Sequence, residues 1–145
     1  MTFTHADDTA WNELLEAAWA VREHAHAPYS GFKVGAALAW RRSGSLWIEA
    51  GCNVENAAYP LTVCAERNAI CAAVAKGLRD GDLAALVVVT EAELLTPPCG
   101  GCRQVLVEFA PALPVLLANR RSRALHDLSD LLPHAFRGSH FFPKA

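Results

Sequence analysis

Leu83 to Thr90 reads Leu-Ala-Ala-Leu-Val-Val-Val-Thr, eight residues without a charge and without polar alternation. A strand of this kind has no face to give to water, so it must be buried on both sides. The rest of the chain therefore has to supply cover above and below one sheet. At 145 residues, 52% of them hydrophobic and 19% charged, the chain has the length and composition for one domain, 1–145, around one sizeable core.

The cover is legible on either side of that strand. Asp7 to His26 has helical spacing: Trp11, Leu14, Leu15, Ala18, Trp19 and Arg22 recur at three and four, and Asp7, Asp8 and Thr9 are candidate caps. Pro28-Tyr29-Ser30-Gly31 is turn chemistry. Lys33 to Trp40 and Leu46 to Gly51 read as strands of a hairpin about Arg42-Ser43-Gly44-Ser45. Asn53 to Leu61 is polar and aromatic and reads as an irregular loop. Cys64 to Leu78 is Ala-rich and helical, ended by Gly77 or Gly81. Cys102 to Phe109 reads as a short helix and Val115 to Ala118 as a second buried strand. Leu125 to Leu132 reads as a short strand or turn leading into a helix. The order αββαβαβ with a tail predicts one mixed sheet flanked by helices.

Two stretches carry chemistry. Cys64-Ala65-Glu66 opens the long helix, and Pro98-Cys99-Gly100-Gly101-Cys102 opens the next. Three cysteines so arranged can hold one zinc ion and leave its fourth position for water, whereas a structural site closes the sphere with a fourth Cys or His. Glu66, two residues from a ligand, is placed to exchange a proton with that water. Three thiolates are electron-rich, so the positive ends of two helices and a hydrogen bond from Arg67 would offset part of their charge. Cys71 lies two helical turns from Cys64, roughly 10 Å along the axis, which excludes it from the same metal. It reads as a packed core thiol. Cys52, at the edge of the loop, is a weaker exclusion. Taken alone, Cys-x-x-Cys is also a redox dithiol, and Glu66 is also an ordinary acid for a helix start.

The bulk charge narrows the partners. A net charge of −2 argues against a phosphate-backbone binder, and the basic run Arg120-Arg121-Ser122-Arg123 reads as a solvated turn. No apolar run is long enough to span a membrane. Met1 to Asp8 carries two acids and no Lys or Arg, unlike a secretory signal. The expectation is a cytoplasmic, reducing location, with the five cysteines as ligands or packed thiols. The six histidines match no ligand position and read as surface or helix-end residues.

Cys-x-Glu followed by Pro-Cys-x-x-Cys is the pattern of zinc deaminases, in which the Glu is not a ligand. The chain resembles the short cytidine deaminases that act on free nucleosides. The likeness runs from Pro28 to Phe136. It rests on Pro28-Tyr29-Ser30-Gly31-Phe32-Lys33-Val34-Gly35, Gly51-Cys52-Asn53-Val54-Glu55-Asn56-Ala57-Ala58-Tyr59-Pro60, Cys64-Ala65-Glu66-Arg67, Pro98-Cys99-Gly100-Gly101-Cys102-Arg103-Gln104 and Leu131-Leu132-Pro133.

The resemblance implies a three-layer α/β/α sandwich around a five-stranded mixed sheet. It implies zinc on Cys64, Cys99 and Cys102, and Glu66 as proton shuttle. It implies Asn53 and Glu55 on the ribose hydroxyls, Phe32 on the pyrimidine face and the Ala65 N–H on the base carbonyl. It further implies a homotetramer in which Tyr59 and Phe136 help build neighbouring sites, and the deamination of cytidine and 2′-deoxycytidine in pyrimidine salvage. Residues two apart in extended backbone face the same way, which suits Asn53 and Glu55 as a pair. The Trp40–Trp47 hairpin and the tail from Gly138 to Pro143 depart from the family pattern. A deaminase of modified nucleosides, a non-enzymatic zinc or redox module, and a nucleic-acid editor are the competing readings.

Overall fold

The computed structural model describes residues 2–142. Met1 of the N-terminal stretch and Pro143 of the tail lie outside them. The chain runs α1 (Trp11–Arg22), β1 (Gly35–Arg42), β2 (Ser45–Cys52), α2 (Ala65–Ala75), β3 (Leu83–Val89), α3 (Gly100–Phe109), β4 (Pro114–Ala118), β5 (Arg123–Asp127) and α4 (Leu128–Leu131), with single 3₁₀ turns at Tyr59–Leu61 and Gly138–His140. The five strands form one sheet in the order β2-β1-β3-β4-β5. Only β3 and β4 run parallel; the other neighbours are antiparallel.

The sheet is central, as the apolar run requires. Along β1, Ala36, Leu38 and Trp40 join the core under α2 and α3, while Ala37 and Ala39 join the core under α1. The period of two splits β3 in the same way: Leu86 and Val88 face one layer, Ala85, Val87 and Val89 the other. The result is the three-layer sandwich. Ala and Gly on the α1 side let that helix approach closely: a Cβ on Gly35 would lie 2.0 Å from the Ala18 carbonyl oxygen.

Local chemistry explains the boundaries. Ser43 and Gly44 both have positive φ, 51° and 79°, the two-residue turn that matches strand twist. Trp40 and Trp47 stack across this hairpin at 5.7 Å between centroids. Gly77, at φ 113°, ends α2: its N–H donates to the Val74 carbonyl and that of Leu78 to the Ala73 carbonyl, which satisfies two carbonyls at the helix end.

Three sequence expectations need correction. Residue 10, an alanine, occupies the α1 cap position and makes no side-chain cap bond. The Asp8 carboxylate instead accepts from Thr4 N–H and Oγ1 and from His5 N–H, a turn earlier. Cys71 is exposed on α2 rather than packed in the core. The basic run is only partly a free turn: Arg123 begins β5, and the Arg120 guanidinium lies 3.7 Å from the centre of the Trp19 ring.

Candidate active site

Cys64 and Cys99 are the cap residues of α2 and α3. Both have extended backbone, at φ −69° and −65°, so each side chain sits at a helix N-terminus beside N–H groups that lack intrahelical partners. Cys102 lies in the first turn of α3, and its N–H points at the Cys99 sulfur at 3.5 Å. The three Sγ atoms lie within 4.8 Å of one another, with Cys64 and Cys99 at 3.8 Å. Zinc–sulfur bonds of about 2.3 Å in a tetrahedron require sulfurs about 3.8 Å apart, so the donor set fits a zinc ion. Among the described residues this is the one group of three or more His, Cys, Asp or Glu side chains close enough to share a metal. Neither Cys71 nor Cys52 belongs to it, and all six histidines are exposed.

The sulfurs sit in a strong local field. Arg67 donates from Nη2 to the Cys64 sulfur at 3.4 Å. A hydrogen bond from the Cys102 thiol, together with Arg67, brings the Cys64 thiol down to about 5. That same bond and burial push the Cys102 thiol up, so Cys64 ionises before Cys102. A divalent metal displaces the remaining protons.

Glu66 is 5% exposed and lines a hollow of about 210 Å³ with Phe32, Val34, Asn53, Ala65 and the sulfur-bearing Cys64 and Cys99. Burial holds its carboxyl above the usual carboxylate range, against its own backbone N–H, and the neighbouring Cys64 charge adds to the rise. A cation on the sulfurs would oppose that shift. Burial thus moves the carboxyl in the direction that an acid–base group working near neutral pH needs.

Asn53 and Glu55 both turn toward the segment 29–34. The Asn53 amide accepts from the Val34 N–H and donates to the Phe32 carbonyl, each at 2.8 Å. Glu55 accepts from the Tyr29 and Ser30 N–H groups and from the Ser30 hydroxyl. These bonds, the hydroxyl first, hold its carboxyl below the usual range. Glu55 and Tyr59 line a second hollow of about 390 Å³ with Tyr29, Ser30, Asn56 and Thr62. Thr62 is common to both hollows. Tyr59 is 73% exposed, and Phe136, 64% exposed, stacks on Phe141 and lines neither hollow of its own chain.

Sequence reading missed Thr62, Val88, Thr96 and Pro97 in the walls of the inner hollow. Val88 was visible only as strand. The two threonines and the proline lie in irregular connections whose route depends on the rest of the fold, which leaves no local signal for them.

Comparison with known proteins follows the same lines. Residues 9–117 match the family described as the cytidine and deoxycytidylate deaminase zinc-binding region. A cytidine deaminase of Halalkalibacterium halodurans is 45% identical over 125 residues, covering 85% of this chain and 91% of that one. A cytidine deaminase of Mycobacterium tuberculosis is 42% identical over 129 residues, covering 89% and 91%. The crystal structure of a cytidine deaminase from Burkholderia pseudomallei superposes with a TM-score of 0.79 at 50% identity, covering 86% of this chain and 98% of that one. With three sulfurs at zinc spacing and a buried glutamate beside them, the chain belongs to the zinc-dependent cytidine and deoxycytidylate deaminase family.

Proposed function

We propose that this enzyme hydrolyses the exocyclic amino group of cytidine and 2′-deoxycytidine, giving uridine or 2′-deoxyuridine and ammonia in pyrimidine salvage. One observation carries the reading: of three sulfurs that fit a single zinc, those of Cys64 and Cys99 belong to residues lining the same hollow as Glu66, whose buried carboxyl is raised above the usual range. When bound, zinc supplies the Lewis-acid charge that brings the pKa of a water toward 7.

The chain's own groups do the rest. Glu66 takes a proton from the attacking water and delivers it to N3 of the ring, which makes C4 electrophilic. The water oxygen bonds to C4. Glu66 then passes the second proton to the amino nitrogen, the C4–N bond breaks, and ammonia leaves. Each transfer needs a carboxyl that both accepts and donates near neutral pH, which burial of Glu66 favours.

The inner hollow suits the pyrimidine, with Phe32 along its face and the Ala65 N–H on the base carbonyl. The outer hollow suits the sugar, with Glu55 as acceptor for its hydroxyls and Asn53, in the wall of the adjoining inner hollow, as their donor. Arg67 balances thiolate charge. The exposed Tyr59, Phe136, Phe141 and Phe142 support a homotetramer in which neighbouring chains complete each other's sites. No helix of the described residues is long and apolar enough to cross a membrane, and a single-domain cytoplasmic enzyme is the reading we favour.

The test is the fall in cytidine absorbance on conversion to uridine, run with a zinc count on the same sample. Glu66→Gln should retain zinc and lose roughly 10²- to 10⁴-fold in turnover, the usual span for a proton-transfer group. A fully active Glu66→Gln enzyme would overturn the assignment.

A further inference from the structure

We infer that Arg103 is a positioning residue that ties the loop presenting Cys99 to the chain's C-terminal segment; this rests on the zinc reading above. The nine residues from Thr90 to Pro98 have no helix or strand, yet they must deliver the Cys99 sulfur to a fixed point. Side-chain contacts restrain this loop. The Thr90 and Thr96 hydroxyls meet at 3.0 Å. Asn119 Nδ2 holds the Ala92 and Glu93 carbonyls near the loop's start, and Arg103 holds the residue next to the ligand: its Nε donates to the Pro98 carbonyl at 2.7 Å.

The same guanidinium reaches the other way. Nη1 donates to the Leu131 carbonyl at 2.5 Å, at the end of α4. The next residue, Gln104, donates from Nε2 to the Phe136 carbonyl at 2.9 Å. Two adjacent side chains, immediately after the last ligand cysteine, thus anchor both ends of the segment 131–136. A planar guanidinium serves two divergent carbonyls at once; a lysine ammonium on a flexible stem holds one such geometry less well. The carbonyl before Cys99 and the carbonyl of Leu131 are therefore fixed relative to each other by one rigid group. The link to the metal loop therefore runs through Leu131, and loosening only the far end of the segment at Phe136 leaves it in place.

The experiment measures zinc release from the purified holoenzyme to a chromogenic chelator. Arg103→Gln should release zinc about tenfold faster or more, within the span seen when a hydrogen bond that orients a ligand is lost. Arg103→Lys should recover part of that loss. Leu106→Ala, in the core under the same helix, serves as the comparison: it lowers the melting temperature without matching the acceleration. Gln104→Ala should speed amide exchange at 132–137 and leave zinc release unchanged. Release from Arg103→Gln within twofold of the unaltered enzyme overturns the inference, as does equal acceleration in Leu106→Ala. If Arg103→Gln does not fold, Arg103→Lys decides: a rate identical to that of the unaltered enzyme overturns it. An unaltered enzyme that holds no zinc sinks the metal reading itself, and this inference with it.

Discussion

Gly51→Ala adds one methyl group, at a residue that lines neither hollow, and should disable the enzyme. Gly51 lies on β2 where α2 crosses it. A Cβ there would sit 2.5 Å from the Ala69 N and 2.6 Å from the Ala65 carbonyl oxygen, both of them helix backbone. Neither atom belongs to a side chain that can swing away, so the helix itself must move. Ordinary contact needs about 3.5 Å, which means a displacement of about 1 Å at the first turns of α2. That turn carries Cys64, Ala65 and Glu66. Overpacking of this kind costs about 1–3 kcal/mol, and a melting temperature lowered by roughly 3 °C per kcal/mol. A misplacement of 1 Å in a catalytic group costs about 10²-fold in rate.

The assay is kcat on cytidine beside a thermal melt. Gly35→Ala is the paired control, because its Cβ would push α1, on the opposite face of the sheet from the cysteines. The expected pattern is loss of stability in both variants and about a hundredfold loss of turnover in Gly51→Ala at temperatures where it remains folded. A folded Gly51→Ala enzyme with turnover within a few-fold of the unaltered one would refute the claim that backbone contact with β2 sets the position of the site.

Three further outcomes are expected. Stripping zinc with a chelator should abolish deamination, and one equivalent of zinc per chain should restore it, read by metal analysis and the absorbance assay. Cys71→Ser should leave zinc content and kcat unchanged and shift stability by no more than about 0.5 kcal/mol, since the thiol is exposed. Glu55, with its carboxyl held low by Ser30 and the Tyr29 and Ser30 amides, keeps its charge as the solution is acidified. Its contribution to substrate binding is then present above the ordinary carboxylate range and lost only as pH falls through its own lowered value. KM for cytidine should stay flat from pH 7 to about 5 on samples of constant zinc content, and a KM that already climbs in that interval would contradict the assignment.

The strands were legible because β1 and β3 carry apolar residues at nearly every position, a pattern that no exposed segment sustains. The metal ligands were legible because Cys-x-Glu and Pro-Cys-x-x-Cys constrain themselves over a few residues. What escaped depends on distant partners. Asp8 has the chemistry of a helix cap, but the amides of Thr4 and His5 capture it first. Cys71 reads as core by residue type, yet it lies on the outer side of α2, whose inner side is taken by Ala69, Ile70 and Ala73. Asn53 was assigned half of a sugar-binding pair by the family resemblance. Its amide also clamps the backbone of Phe32 and Val34, nineteen and more residues away in sequence, a task that no local pattern encodes.

The two helix starts that carry the sulfurs have one more consequence. Cys64 and Cys99 are 35 residues apart in sequence, and α2, β3 and the connection to α3 all lie between them. An ion held by both closes that stretch into a ring. Chain-entropy estimates for a cross-link across such a loop give about 4 kcal/mol, acting through the unfolded chain, which loses conformations it would otherwise sample. For a domain of this size that is a sizeable share of total stability. The cofactor is in this sense a fastener for α2 and the central strand β3 as well as a reagent, and a chain starved of metal would be short of fold as well as of chemistry.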